Sequence, residues 1–221
     1  MAKSFPNTGV TIIDSVSDLP GSPVEGLMVF QKDSNELKIF DGSSWVSVVD
    51  TDTPPALVKI TSGAFNNSSE VIVDDCFSSL FTNYRLLFTI NSCTVNGPYG
   101  QFNFRTTGGN YNSANYYHAH RGVRSDNTTF DTAVTANTQF DYIGNADDTI
   151  YPSTGSIDIY SPFLSTERTS LTYHGATVEA TKYDMIIYSG WVIANTSFSG
   201  FRLKQSSGNI TGRYVLYGYR D

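Results

Sequence analysis

The 221-residue chain carries a net charge of −7 with 16% charged and 39% hydrophobic residues. That supports one sizeable domain and a smaller one, while an acidic, charge-poor chain argues against nucleic acid or anionic membrane as a partner. Apolar runs such as 85–90 are strand-length, far below the ~20 residues of a spanning helix, so no membrane insertion is expected.

Taken in order, residues 1–7 lack the apolar core of a signal peptide, which predicts a protein made and kept in the cytosol unless it leaves by lysis. Residues 1–21 are polar apart from the short strand-like run Val10-Thr11-Ile12-Ile13, and read as an attachment arm. Between 22 and 50 the pattern sharpens into a three-stranded meander: 26–31, a turn at 32–36, 37–40, a turn at 41–44, and 45–49. At ~25 residues it is smaller than the ~40 below which a lone chain needs disulfides, metal or oligomerisation, and it has no cysteine or histidine. Leu27 and Val29 alternate with Met28 and Phe30, so both faces are apolar. Leu27, Val29, Phe30, Ile39, Phe40 and Trp45 are therefore expected to meet other copies of the chain in a homo-oligomer.

Pro54-Pro55 breaks any ladder, so 51–56 reads as a linker to a head spanning 57–221. Strand-like runs follow at 57–61, 70–74, 84–91, 101–105, 116–121, 139–143, 156–160, 170–173, 183–188 and 190–194, separated nearly throughout by turn residues. A single helical turn is expected at 75–81 and no longer helix anywhere. The stretch 191–220 holds the clearest hairpin. Phe201 and Leu203 alternate with Arg202 and Lys204, 205–209 supplies turn residues, and 210–220 runs apolar on both faces in its middle. That last strand should lie inside a sheet, closing a β-sandwich. The fold class expected is all-β: a small N-terminal β-meander followed by a jelly-roll-like β-sandwich.

Cys76 and Cys93 are too few for a disulfide framework and read as buried free thiols. His118 and His120, at i and i+2 on one strand, face the same side, which admits a shared metal or a hydrogen-bonded surface or core role for each. Asp74-Asp75 lacks the spaced oxygens of a calcium loop and more plausibly ends a strand. No nucleophile elbow, zinc-protease helix or phosphate loop is present, so no catalytic role and no cofactor are expected, although paired carboxylates of the glycosidase kind are recognised only in space. Tyr111, Asn115, Tyr116, Tyr117 and His118, followed by Arg121 and Arg124, combine aromatic rings with planar polar groups, a mixture suited to sugars and also to a half-covered sheet.

Several of these pieces together resemble tail-fibre and related virion proteins of tailed bacteriophages, marine ones in particular. They are Glu25-Gly26-Leu27-Met28-Val29-Phe30, Asn35-Glu36-Leu37-Lys38-Ile39-Phe40 and Asp41-Gly42-Ser43-Ser44-Trp45. Farther on come Asp74-Asp75-Cys76-Phe77, Asn83-Tyr84-Arg85, Phe104-Arg105 with Gly108-Gly109, Phe198-Ser199-Gly200-Phe201, Ile210-Thr211-Gly212 and Tyr217-Gly218-Tyr219-Arg220. The resemblance covers most of the chain beyond the arm. It implies a homotrimer located in the virion tail, held to other virion tail proteins through the arm and binding a host surface glycan or outer-membrane protein. An architectural virion protein without receptor binding, and a glycan-binding or glycan-cleaving module, are the alternatives.

Overall fold

The computed structural model describes residues 3–4, 10–48, 56–148, 151–179 and 182–220. The chain forms two compact units, Met1–Pro55 and Ala56–Asp221. Of the expected linker, only Ala56 lies within the described residues.

The N-terminal unit is one sheet of five strands in sequential order: β1 (Lys3–Ser4), β2 (Val10–Ile13), β3 (Met28–Gln31), β4 (Glu36–Phe40) and β5 (Trp45–Ser47). Strands β3, β4 and β5 are the antiparallel meander read from the sequence. Strand β2, assigned on sequence to a separate arm, instead pairs parallel with β3 along its whole length and belongs to the same sheet. Ile13 and Val29 are the two fully buried apolar side chains among the described residues of this unit. Val29, expected at an interface between copies, is thus already enclosed within the chain. Leu27, Phe30, Ile39, Phe40 and Trp45 stay half-buried, with the Phe40 and Trp45 rings 5.6 Å apart.

The C-terminal unit is an all-β sandwich. Its strands are β6 (Leu57–Ser68), β7 (Glu70–Val73), β8 (Asn83–Cys93), β9 (Gly100–Thr106), β10 (Gly109–Asn110), β11 (Tyr116–Arg124), β12 (Thr129–Asn137), β13 (Phe140–Asp141), β14 (Ser153–Tyr160), β15 (Ser170–Glu179), β16 (Lys182–Val192), β17 (Gly200–Gln205) and β18 (Ile210–Tyr219). The larger sheet runs β12-β11-β16-β15-β14-β8-β18-β6, antiparallel throughout. The smaller runs β10-β9-β17-β7, with β13 also paired to β9. Phe102, Phe104, Phe201 and Leu203 of the small sheet form one core with Tyr84, Leu86, Ile157, Tyr188 and Leu216 of the large one. Each such burial contributes about 1.5–3 kcal/mol.

Three expectations need correction. Strands β17 and β18 are not a hairpin, because β17 pairs with β9 and β7 while β18 pairs with β8 and β6. The short link between them crosses from one layer to the other, a step of about 10 Å. Buried Gln205 ends β17 by donating to the Gly144 carbonyl at 2.7 Å. The expected helical turn at 75–81 is irregular. Asp75 takes φ +53°, and both Cys76 and Phe77 donate backbone N–H groups to the Ser199 carbonyl. The run 183–188 and the start of the run 190–194 join through Ser189 into β16, where the missing Cβ of Gly190 leaves room for the Phe140 ring. The prediction of an inside position for the last strand is met by β18 between β8 and β6.

Candidate functional site

Successive side chains of a strand point to opposite faces, so each strand of the large sheet contributes alternate residues to the core and to the outer face. On β11 this places Tyr116, His118 and His120 inward and Tyr117, Ala119, Arg121 and Val123 outward. The expected binding stretch is therefore divided between two environments.

Tyr116 is fully buried: its hydroxyl accepts from the Phe104 amide at 3.1 Å and donates to the Tyr111 carbonyl at 2.9 Å, tying the two sheets together. Tyr111 packs edge-on against Phe198, with ring centroids 5.2 Å apart, and its hydroxyl accepts from Asn115 Nδ2 at 2.8 Å. Arg124 pairs with the buried carboxylate of Asp184 at 3.2 Å and lies over the Phe130 ring. None of these five side chains, His118 included, belongs to the outer face. Only Tyr117 and Arg121 of the expected set do.

His118 and His120 are buried, their rings 6.2 Å apart and both stacked near Tyr188, at 5.0 and 5.8 Å. Burial pushes the His118 imidazolium down to about 4, with Asp141 opposing and His120 adding to the effect, and burial lowers His120 also. Among the described residues no group of three or more His, Cys, Asp or Glu side chains is placed to hold a metal ion. Asp74, raised on sequence as a possible calcium seat, bonds the Arg105 guanidinium at 2.6 and 3.2 Å. Cys76 and Cys93 are free and buried, and burial pushes the Cys76 thiol up to about 12, with Asp74 and Asp75 nearby adding to the rise, which makes it inert.

The outer face of the large sheet is the most distinctive surface of the unit. Cross-strand pairing arranges it in rows. One row runs Arg121, Ile187, His174, Ser156, Leu87, Val215, and beside it Val123, Met185, Ala176, Thr154 and Thr89 form another. Met185 is 60% exposed, Ile187 56% and Leu87 40%. The paired glycines Gly155 and Gly175 lie between these ridges. Small outward residues (Thr154, Ser156, Ala176) accompany them, so a groove of about 580 Å³ runs along β14 and β15, walled by Leu87 on one side and Met185 and Ile187 on the other.

The other half of the face is polar and aromatic. Arg85 Nε and Nη2 both donate to Asp158 at 2.7 Å, and the Tyr219 hydroxyl donates to the same carboxylate at 2.8 Å. Burial pushes the Tyr219 phenol up to about 12, with the bonded Asp158 adding to it. The next row reads Tyr117, Trp191, Ser170, Tyr160, Asn83, Tyr219. Sequence reasoning missed Trp191, Tyr160 and the Arg85–Asp158–Tyr219 network. The signal was present in β16, where Met185, Ile187 and Trp191 alternate with Ile186, Tyr188 and Val192: a strand apolar on both faces, one of them outside the core.

No protein-family model matches the chain, and neither does any curated protein. Among solved structures it is similar, at TM-score 0.11 and 9% identity, to a crystal structure of the infectious bursal disease virus VP2 subviral particle. The match covers 90% of this chain and spans 48% of that one, a likeness too slight to bear on fold or function.

Proposed function

We propose that the protein is a homotrimeric tail-fibre component of a tailed-bacteriophage virion that attaches to a surface glycan of the host, its other partners being virion tail proteins. The observation supporting this reading is the outer face of the large sheet. It carries exposed Met185, Ile187 and Leu87 in one half and Trp191 and Tyr160 in the other. An apolar groove of this kind favours cover by another protein surface, and sheets pack face to face by interdigitating such ridges and grooves. The half-buried aromatics of the N-terminal sheet and its two-residue buried core add a second reason for copies to assemble. The groove is then filled by a neighbouring copy and the polar-aromatic half stays open.

Light scattering on the purified full chain tests the assembly. A trimer mass is expected, and Met185→Lys with Ile187→Lys should lower it to that of a monomer without changing the far-UV circular dichroism. A wild-type monomer at micromolar concentration would overturn the assembly. For attachment, the purified protein should compete with virions for host cells. Virions that lack it yet adsorb normally would make it an architectural component instead.

A further inference from the structure

We infer that the aromatic row on the outer face is a binding site for an extended, β-linked polysaccharide laid across the strands. This rests on the attachment reading above and assigns it a ligand class and a place. Trp191 on β16 and Tyr160 on β14 are separated by β15, while the Tyr219 ring on β18 leans across β8 to bond Asp158 of β14 and has the Arg85 guanidinium over it. Two strand spacings amount to about 10 Å. Trp191 and Tyr160 are therefore set apart by nearly the length of a disaccharide in an extended β-linked chain, in which alternate sugars present the same face.

Ser170 lies between Trp191 and Tyr160 in the row and Asn83 follows Tyr160, both short polar side chains that leave the floor open. Half of the Trp191 surface is exposed, and 39% of that of Tyr160. An aromatic ring offers an apolar body to the C–H face of a pyranose, while its polar neighbours take the hydroxyls. Arg85 and Asp158 supply such neighbours already fixed by their mutual bidentate bond, so little side-chain order remains to be imposed on binding.

A row of shallow positions without a deep pocket suits a polymer rather than a small molecule, because each sugar adds a modest increment. Among the described residues the exposed rings beside the apolar half, Tyr151 and Tyr183, pack edge-on against each other at 5.3 Å instead of forming a row across the strands, so the sugar belongs to the polar-aromatic half.

Calorimetric titration of the full chain with β-1,4-linked N-acetylglucosamine oligosaccharides, from disaccharide to hexasaccharide, and with fragments of host surface polysaccharide tests this directly. Affinity should rise with length until the oligosaccharide spans two rings, and Trp191 emission should shift on binding. Trp191→Ala and Tyr160→Ala should each weaken binding about tenfold or more, the loss of one buried ring contact, with unchanged thermal melts. Equal affinity for the shortest and longest fragments, or full binding by Trp191→Ala, would overturn the site. If the protein adsorbs to host cells but binds no saccharide, the polysaccharide assignment falls and attachment stands with a protein receptor. If it neither adsorbs nor binds, both fall.

Discussion

On β8, Tyr84, Leu86 and Phe88 point into the sandwich while Asn83, Arg85 and Leu87 point out of it, and on β16 the same rhythm sets Ile186 and Tyr188 against Met185, Ile187 and Trp191. One set of strands thus makes two surfaces with different obligations. The inner residues close against a second sheet at near-zero exposure, and nearly every ring there has another ring beside it. The outer apolar ones keep 40–60% of their surface exposed, and Arg85 is held in an ion pair with Asp158. Parity along the strand, more than residue type, decides whether a tyrosine or a histidine on this sheet is structural or available. Changes on the inner face should therefore be felt as lost stability, and changes on the outer face as lost association.

The sharpest contrast lies within one pair of neighbours. Gly175 faces inward, where a Cβ would run into the Tyr173 hydroxyl, and across from it a Cβ on Gly155 would meet Tyr173 and lie 2.8 Å from Phe88 Cζ. Tyr173 is fully buried and stacked on Phe88 at 6.0 Å. Gly175→Val should cost about 3 kcal/mol, at the upper end for overpacking, because the clash is with a ring that has no other place to go. Ala176→Val, one residue on and facing out, should change stability by less than about 0.5 kcal/mol. Urea denaturation of the two variants measures both, and equal midpoints would erase the distinction between the faces.

Next in size is the response of the inner face to acid. His118 is held near 4 against an ordinary 6.5, chiefly by burial. As pH falls through about 6.5 the unfolded chain takes up a proton that the folded chain refuses until about 4. Stability is therefore complete above 6.5 and lost across that window, by about 3 kcal/mol for this residue. Asp141 and Tyr188 are the titratable groups nearest to it besides His120. Denaturation midpoints at pH 7.5, 5.5 and 4.5 should fall in that order. His118→Phe, which keeps a ring but removes the titrating nitrogen, should flatten the decline. An unchanged slope in that variant would show the imidazole to be readily protonated in the folded protein.

The same parity explains what could be read from the sequence. The all-β sandwich was legible because turn residues separate short alternating runs, and most of the strands fall where those runs do. Strand β12 was not, since it is an edge strand exposed along most of its length and so carries no hydrophobic alternation. The β17–β18 link looked like a hairpin because its residues suit a turn. Which sheet each strand joins depends on partners far away in the chain, which local pattern does not encode. The binding stretch failed for a related reason: Tyr116 and Tyr117 are adjacent and chemically alike, yet one bridges the two sheets and the other stands beside Trp191 on the outside. Trp191, Tyr160 and Tyr219 come together only through the order β16-β15-β14-β8-β18, so no window of sequence contains them.

The comparison that separates the faces most cleanly concerns the Arg85–Asp158 pair. Burial pushes the Asp158 carboxylate upward, but hydrogen bonds from Arg85 and Tyr219 outweigh it and hold the group below the ordinary range. The stabilisation is thus present above that range and lost as pH falls below it. The Arg85 side chain is 37% exposed, and solvent screening leaves such a pair worth about 1 kcal/mol or less. Arg85→Met preserves the stem against the Tyr219 ring, 5.5 Å from the guanidinium carbon, and leaves Asp158 its bond from Tyr219. Its denaturation midpoint should scarcely move. Saccharide affinity should fall further than stability does, because the guanidinium both fixes Asp158 and offers its remaining donors to the open side of the face. A loss of stability larger than the loss of affinity would place this network among the structural elements and move the boundary between the two faces outward by one row.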